Sequence, residues 1–493
     1  MKKLYTLFIL LIFVFACNNP GKDSSQHQLS ELATDESSIV ERDLPKIKER
    51  DTLVALTGYN SLSYFIYRGA TMGYEYDLLK RLAQDLNVHL KVKVVEDLSQ
   101  PEKLLNTGEG DILAHNLTIT NERKKELAFS APLTQTQQVL VQLKPSGWKQ
   151  LKPHQLDRKL VRTPLQLEGE TLLVRQNSAY QSRLENLKEE SGLDFHIKQV
   201  EGTTSTEYLI KRVAKGEIPF TVADENIANV STAFYPNIDV KTPLSLKQNV
   251  AWAFRKNAPK LKEAVDDWLK EMQAGSDYYV IYNKYFKHKR SVAKKVQSPL
   301  YARNSGVISE YDPIIKEQSQ HLNWDWRLVA ALVYQESKFD AEAQSWAGAK
   351  GLMQMMPKTA EKFEVENLFN PEENIQAGVA YLKELESFWT KKIPDEIERK
   401  KFVMASYNVG FGHVLDAQRL AEKYGKDPLK WDKQVAPFLR KKSKPEYYND
   451  DVVKYGFCRG EEPYKYVKQI FDRYEHYARF TEPVNEENVL AMN

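Results

Sequence analysis

Leu328, Val329, Leu332 and Val333 recur at helical spacing, and Glu336 lies four residues after Leu332 and three after Val333. This spacing predicts a helix with a carboxyl group on its apolar face. A core that takes in such a helix must pair the carboxyl or leave it protonated, because desolvation disfavours the charged form. A Glu that keeps its proton near neutral pH has what a general acid needs. Taken alone, a Glu near a helix end is more commonly a solvated charge, since Glu is almost never fully buried without a partner. The residues around this one reverse that expectation.

A dense run follows it: Ser345, Gly348, Ala349, Gly351, Leu352, Met353, Gln354, Pro357, Thr359 and Ala360. Three ordered motifs, Glu336-Ser337, Gly351-Leu352-Met353-Gln354 and Tyr407-Asn408, resemble the hallmark of the goose-lysozyme-like lytic transglycosylases. The resemblance implies a mainly α, lysozyme-like domain over 306–480 that acts on peptidoglycan. It implies Glu336 as the catalytic residue and Ser337 as the residue that orients Glu336 or a substrate N-acetyl group. Met353 and Gln354 are then expected along the groove, with Tyr407, Asn408 and Tyr466 across the cleft. Ser406 departs mildly from the Ala common before the Tyr-Asn pair.

Most glycoside hydrolases use two carboxylates, and this motif supplies one. Asp340 follows four residues later but has no counterpart in the family and reads as a helix end. The resemblance implies that the sugar supplies the missing nucleophile. Its own C6 hydroxyl attacks C1, giving a 1,6-anhydromuramyl end without consuming water. Two alternatives stay open: a hydrolytic, lysozyme-type muramidase, and a ligand-sensing receptor whose second domain only holds glycan. No cofactor and no metal are expected.

The first half of the chain reads differently. Thr52 to Leu56, His89 to Val95 and Asp111 to Ala114 carry strand patterns, and Tyr74 to Leu86 carries a helical one with Leu78, Leu79, Leu82 and Leu86 on one side. Alternating strand and helix argues for an α/β sheet. Gly73-Tyr74-Glu75-Tyr76-Asp77, Gly108-Glu109-Gly110-Asp111, Thr118 to Arg123 and Phe129-Ser130-Ala131-Pro132 resemble the periplasmic solute-binding proteins for amino acids and similar ligands. Lys215-Gly216-Glu217 to Ala223-Asp224 extends the resemblance. It implies a two-lobed α/β domain over 50–290, with lobe two at about 143–235. Thr118, Arg123 and Asp224 are then expected at the ligand, Arg123 on a carboxylate and Asp224 on an ammonium. An amino acid or a muropeptide is the expected ligand, and lytic transglycosylases that join these two modules in this order make regulation or targeting the expected role. A mere spacer stays open.

Residues 1–16 have the basic start and apolar core of a signal peptide, too short for a transmembrane helix. Val14-Phe15-Ala16-Cys17 resembles a bacterial lipobox, which implies lipidation of Cys17 and a membrane anchor. Asn18 in place of Asp favours the outer membrane, facing the periplasm. Residues 17–49 read as the lipidated Cys and a tether, 291–305 as a linker and 481–493 as a tail, while Trp431, Pro437 and the basic run at 440–444 suggest a groove insertion or loop. The net charge of +3 gives no argument for nucleic acid.

Overall fold

The computed structural model describes residues 39–95 and 100–481. The predicted signal peptide, Cys17, the tether as far as 38 and the tail from 482 lie outside the described residues.

Thirteen strands among the described residues build the first half. They are β1 (Thr52–Thr57), β2 (Phe65–Tyr67), β3 (Ala70–Met72), β4 (His89–Val94), β5 (Ile112–Thr118), β6 (Leu127–Phe129), β7 (Thr134–Thr136), β8 (Gln138–Leu143), β9 (Thr171–Arg175), β10 (His196–Val200), β11 (Phe220–Asp224), β12 (Ile238–Pro243) and β13 (Gln248–Arg255). Lobe one is the sheet β4-β1-β5-β13-β6, with β7 also on β13, and lobe two is the sheet β10-β9-β11-β8-β12. The central strands of both sheets run parallel. Such strands are covered on both faces, which is why β1 and β5 read as apolar runs rather than alternating ones. The chain crosses between lobes at Gln137 and again between β12 and β13. Lobe two therefore takes in β8 and β12 and is wider than the 143–235 expected from sequence. Only Gln137 separates β7 from β8, and β13 follows closely after β12, so sequence alone does not mark where one sheet ends.

The folded chain begins earlier than Arg50. A helix forms over Leu44–Glu49 and buries Ile47. Asp43 caps it, and the same carboxylate accepts from the backbone of Lys260 at 3.0 Å and Leu261 at 2.7 Å. Arg42 donates to the Gly108 carbonyl at 2.6 Å. Residues 39–49 are thus part of lobe one and not tether. The expected linker at 291–305 is also structured: helices run over Lys289–Val296 and Ala302–Ser305, and Val292, Ala293, Tyr301 and Ala302 are buried.

The second half is helical. Its last helix, Glu461–Phe480, packs against the helix Trp326–Ser337 and against Glu396–Val409. The stretch expected as an insertion or loop folds into short helices around buried Trp431, Phe438 and Leu439. Asp416 pins it. Its buried carboxylate accepts from Lys442 at 2.6 Å and from the backbone N–H groups of Lys454 and Tyr455 at 2.8 and 2.9 Å.

The two halves share one core. Tyr64, Ile66, Val92 and Val94 of lobe one cluster with Tyr477 and Phe480 of the last helix. The Tyr59 and Phe480 rings lie 3.9 Å apart, the Tyr477 hydroxyl donates to the Gly69 carbonyl at 2.7 Å, and Lys91 pairs with Glu475 at 3.1 Å. His89 meets Asp472 beside them.

Candidate active site

Asp325 starts the helix Trp326–Ser337 by accepting from the Arg327 N–H at 2.9 Å. Leu328 through Val333 are all buried, as the apolar spacing requires. The helix ends in two left-handed residues, Lys338 (φ 56°) and Phe339 (φ 63°), which turn the chain away directly after Ser337. Glu336 sits in the last turn, half-buried, and its carboxylate accepts a hydrogen bond from the Tyr466 hydroxyl of the last helix. Burial pushes the Glu336 carboxyl up to about 7; the Tyr466 bond opposes this, and the charge of Glu462 adds to it. The sequence expectation of a carboxyl protonated near neutrality thus has a physical cause here.

The last helix brackets this turn. Arg473 donates to the Gln335 side chain at 3.0 Å and lies 4.3 Å from the centre of the Tyr334 ring. The Gln335 amide in turn donates to Gln469 at 3.0 Å. Tyr407 comes from the opposite side, on the helix Glu396–Val409. Its hydroxyl donates to the Met353 carbonyl at 2.7 Å, and burial first, then the Glu336 charge, holds its proton on. Asn408 follows it, half-buried.

Three motif residues differ from the expectation. The Ser337 hydroxyl turns back to the Val333 carbonyl at 3.2 Å, as helical Ser often does, and does not reach Glu336. Met353 is fully buried and does not line a groove. It fits against Gly378, where a Cβ would overlap its sulfur. Gln354 spends its amide on the Ala343 and Gly351 carbonyls at 3.0 and 2.9 Å. These residues build the loop beneath the cleft. Gly351 (φ 76°) is required there, because a Cβ would overlap the Leu368 carbonyl and the Asn374 amide.

Sequence reading missed Asn374. It is fully buried, accepts from the Met353 N–H at 2.7 Å, and donates to the carbonyls of Lys350 and Leu368 at 3.0 and 2.8 Å. Its signal was an Asn on the apolar side of a predicted helix. Asp340 accepts from the Glu342 N–H at 3.0 Å and caps the turn after the helix. Among the described residues, no group of three or more His, Cys, Asp or Glu is placed to hold a metal.

In the first module, Arg123 donates to the Thr118 carbonyl at 2.9 Å, and Asp224 accepts from the Tyr180 hydroxyl at 3.1 Å. Arg123 is on lobe one and Asp224 ends β11 on lobe two, so the two face each other across the cleft. Burial lowers the Arg123 pKa and the Asp224 charge opposes that. The lobes touch at a second point, where the Ser61 N–H donates to Glu207 at 3.1 Å. Burial raises the Glu207 pKa. Neither Tyr180 nor Glu207 stands out in the sequence.

Residues 53–288 match the bacterial extracellular solute-binding proteins, family 3, and residues 313–430 match the Transglycosylase SLT domain. The membrane-bound lytic murein transglycosylase F of Desulfosudis oleivorans is 37% identical over 436 residues, covering 87% of this chain and 90% of that protein. This chain belongs to the membrane-bound lytic murein transglycosylase F family. Family members from Photobacterium profundum and Aliivibrio fischeri are 32% and 31% identical, each over 88% of this chain and over 81% and 84% of their own lengths. The first half is also similar to the solved structure of holo ArgBP from T. maritima, at 24% identity and a TM-score of 0.40, over 49% of this chain and 99% of that one. The family's two-module plan accounts for the fold on both sides of the shared core: a two-lobed α/β module followed by a helical one.

Proposed function

We propose that this protein cleaves the β-1,4 bond between N-acetylmuramic acid and N-acetylglucosamine in peptidoglycan and leaves 1,6-anhydromuramyl ends. The observation that carries this is Glu336, half-buried against Tyr466 and holding its proton to about pH 7. The acid form protonates the glycosidic oxygen as the C1–O bond breaks. The carboxylate left behind then takes the proton of the C6 hydroxyl, whose oxygen closes on C1. The attacking group is already part of the sugar, so no second reactant has to be captured. Tyr466 donates to the carboxylate and so favours the state between these two transfers. Tyr407 and Asn408 flank the substrate, and Ser337, Met353 and Gln354 contribute by holding the loop and helix end that shape the cleft. Replacing Glu336 with Gln is expected to abolish release of soluble muropeptides from purified peptidoglycan, a loss of roughly a thousandfold or more; substantial residual release would exclude Glu336 as the acid.

A hydrolytic reaction has one observation in its favour. Glu462 is a second carboxylate close enough to raise the Glu336 pKa, and a hydrolase needs a base for water. Under the transglycosylase reading, Glu462→Gln leaves the products unchanged.

The first module binds an amino acid or peptide through Arg123, Thr118 and Asp224 and controls the enzyme. The contact that supports control is the β2–β3 hairpin. Gly69 at its tip meets the Phe339 ring, three residues beyond Glu336, and the Tyr477 hydroxyl on the helix that carries Tyr466. Gly69 has φ 69°, so a side chain there is strained as well as obstructed. Gly69→Val is expected to lower turnover by roughly tenfold without changing ligand affinity of the module. Unchanged turnover would remove the hairpin as a control element. Cys17 carries a lipid anchor that holds the protein at the outer membrane, facing the periplasm. Among the described residues no helix is long and apolar enough to cross a membrane. Radiolabelled palmitate incorporated by the wild type and lost in Cys17→Ala is the expected result.

A further inference from the structure

Arg175 is the last residue of β9, and β9 lies parallel beside β11, whose last residue is Asp224. Both strands therefore deliver their carboxyl ends to the same edge of lobe two, the edge that faces lobe one. In open α/β sheets this is where ligands bind. The Arg175 side chain makes no hydrogen bond or ion pair with any described residue, and its Nε is buried. On lobe one, the Nδ1 of His115 is likewise buried and without a partner. Native structures rarely leave such groups unmatched unless something else meets them.

The charges around this gap are out of balance. The charges of Arg123 and Arg175 both act on His115, and that of Arg175 acts on Arg123. Burial first, then Arg175 and Arg123, takes His115 down to about 3, so it stays neutral. Asp224 is the strongest opposing charge on Arg123, with Glu102 weaker. Glu75 also borders the small cavity beside His115, but its carboxylate accepts from Trp252 at 2.6 Å, and burial pushes it up to about 7. An ordinary amino-acid zwitterion would answer Arg123 with its carboxylate and Asp224 with its ammonium. It would leave half-buried Arg175 with its buried Nε–H unanswered, and an unmatched buried donor costs the hydrogen bond it lost to water.

We infer that the ligand of the first module carries a second carboxylate, which Arg175 binds: an acidic amino acid, or a peptide with an acidic side chain, rather than a neutral or basic one. This rests on the reading of the module as an amino-acid-type binder. A guanidinium suits the task because its planar fork takes both oxygens of a carboxylate at once.

Glutamate and glutamine test the inference, because they share a shape and differ in the one charge at issue. Titration calorimetry at pH 6, where Glu75 is mostly protonated, would use the full chain from residue 18 with L-glutamate, L-glutamine, L-arginine and the dipeptides Ala-Glu and Ala-Gln. In whichever pair binds, the acidic member is expected to bind roughly thirtyfold more tightly than its amide, the size of one charged hydrogen-bonded pair. Arg175→Gln is expected to bring the two within about twofold, and Arg175→Lys to keep part of the preference. Both variants should still bind, whereas Arg123→Ala should lose both ligands. An amide or arginine bound as tightly as the acidic ligand in the wild type overturns the second carboxylate and leaves the amino-acid reading standing. A preference unchanged in Arg175→Gln overturns the role of Arg175. No binding of any of the five probes overturns the amino-acid reading itself, and this inference with it.

Discussion

Tyr466 and Glu462 act on the Glu336 carboxyl in opposite senses, the hydroxyl favouring ionisation and the second carboxylate opposing it. Burial outweighs both, and the acid form persists to about pH 7. The rate of peptidoglycan cleavage should therefore fall as pH rises through about 7. Tyr466→Phe removes the bond that favours the carboxylate, so its alkaline limb should move to higher pH while the maximal rate drops roughly tenfold; a limb that stays put would mean the hydroxyl does not act on Glu336. The same shift bears on stability. A carboxyl whose folded pKa is raised costs the fold nothing below its unfolded value, near 4.3. The cost grows as pH rises and is complete above about 7. Glu336→Gln should thus raise the thermal midpoint at pH 8 and leave it unchanged at pH 4. At this scale the carboxyl itself was legible in sequence, because four apolar residues fixed its face. The hydrogen-bond directions of Ser337, Met353 and Gln354 were not. Whether a hydroxyl or amide points to a cleft or back to its own chain depends on groups such as Asn374 that lie far off in sequence.

Elements position these residues through a few buried polar anchors. Asp43 caps one helix and accepts from the start of another more than two hundred residues away, which is why residues before Arg50 belong to lobe one. A cap of this kind is invisible when its second partner is remote. Asp416 plays the same part in the helical module, where it gathers Lys442, Lys454 and Tyr455 into a wall beside Gly412. The run at 440–444 read as a basic loop because Lys442 looked like its exposed neighbours. In the fold it is fully buried on Asp416. Breaking such a pair from one side leaves the other charge unmatched. Asp416→Asn is expected to destabilise the helical module by about 3 kcal/mol, with earlier proteolytic cutting within 440–456. A variant that melts like the wild type would show that the pair does not hold the wall. By contrast, the helix that carries Glu336 and the strands β1, β4 and β5 followed directly from their periodicity, since local apolar pattern and tertiary burial agree there.

Across the whole molecule, the two-module plan was legible from the switch between strand-helix alternation and helical motifs. Their union was not. Tyr64, Ile66, Val92 and Val94 serve lobe one's sheet, and also complete a core with Tyr477 and Phe480. A residue that is apolar for one module gives no sign that another module covers it. The result is a last helix, Glu461–Phe480, held between the helix that carries Glu336 and the solute-binding lobe. The central claim, that this carboxyl serves as both acid and base with the sugar as its own nucleophile, is tested most directly by the mass of the products. Purified peptidoglycan digested with the chain from residue 18 should yield muropeptides ending in 1,6-anhydromuramic acid, one water lighter than their reducing counterparts, and none with Glu336→Gln. Products with reducing ends would contradict the account and make the enzyme a hydrolase.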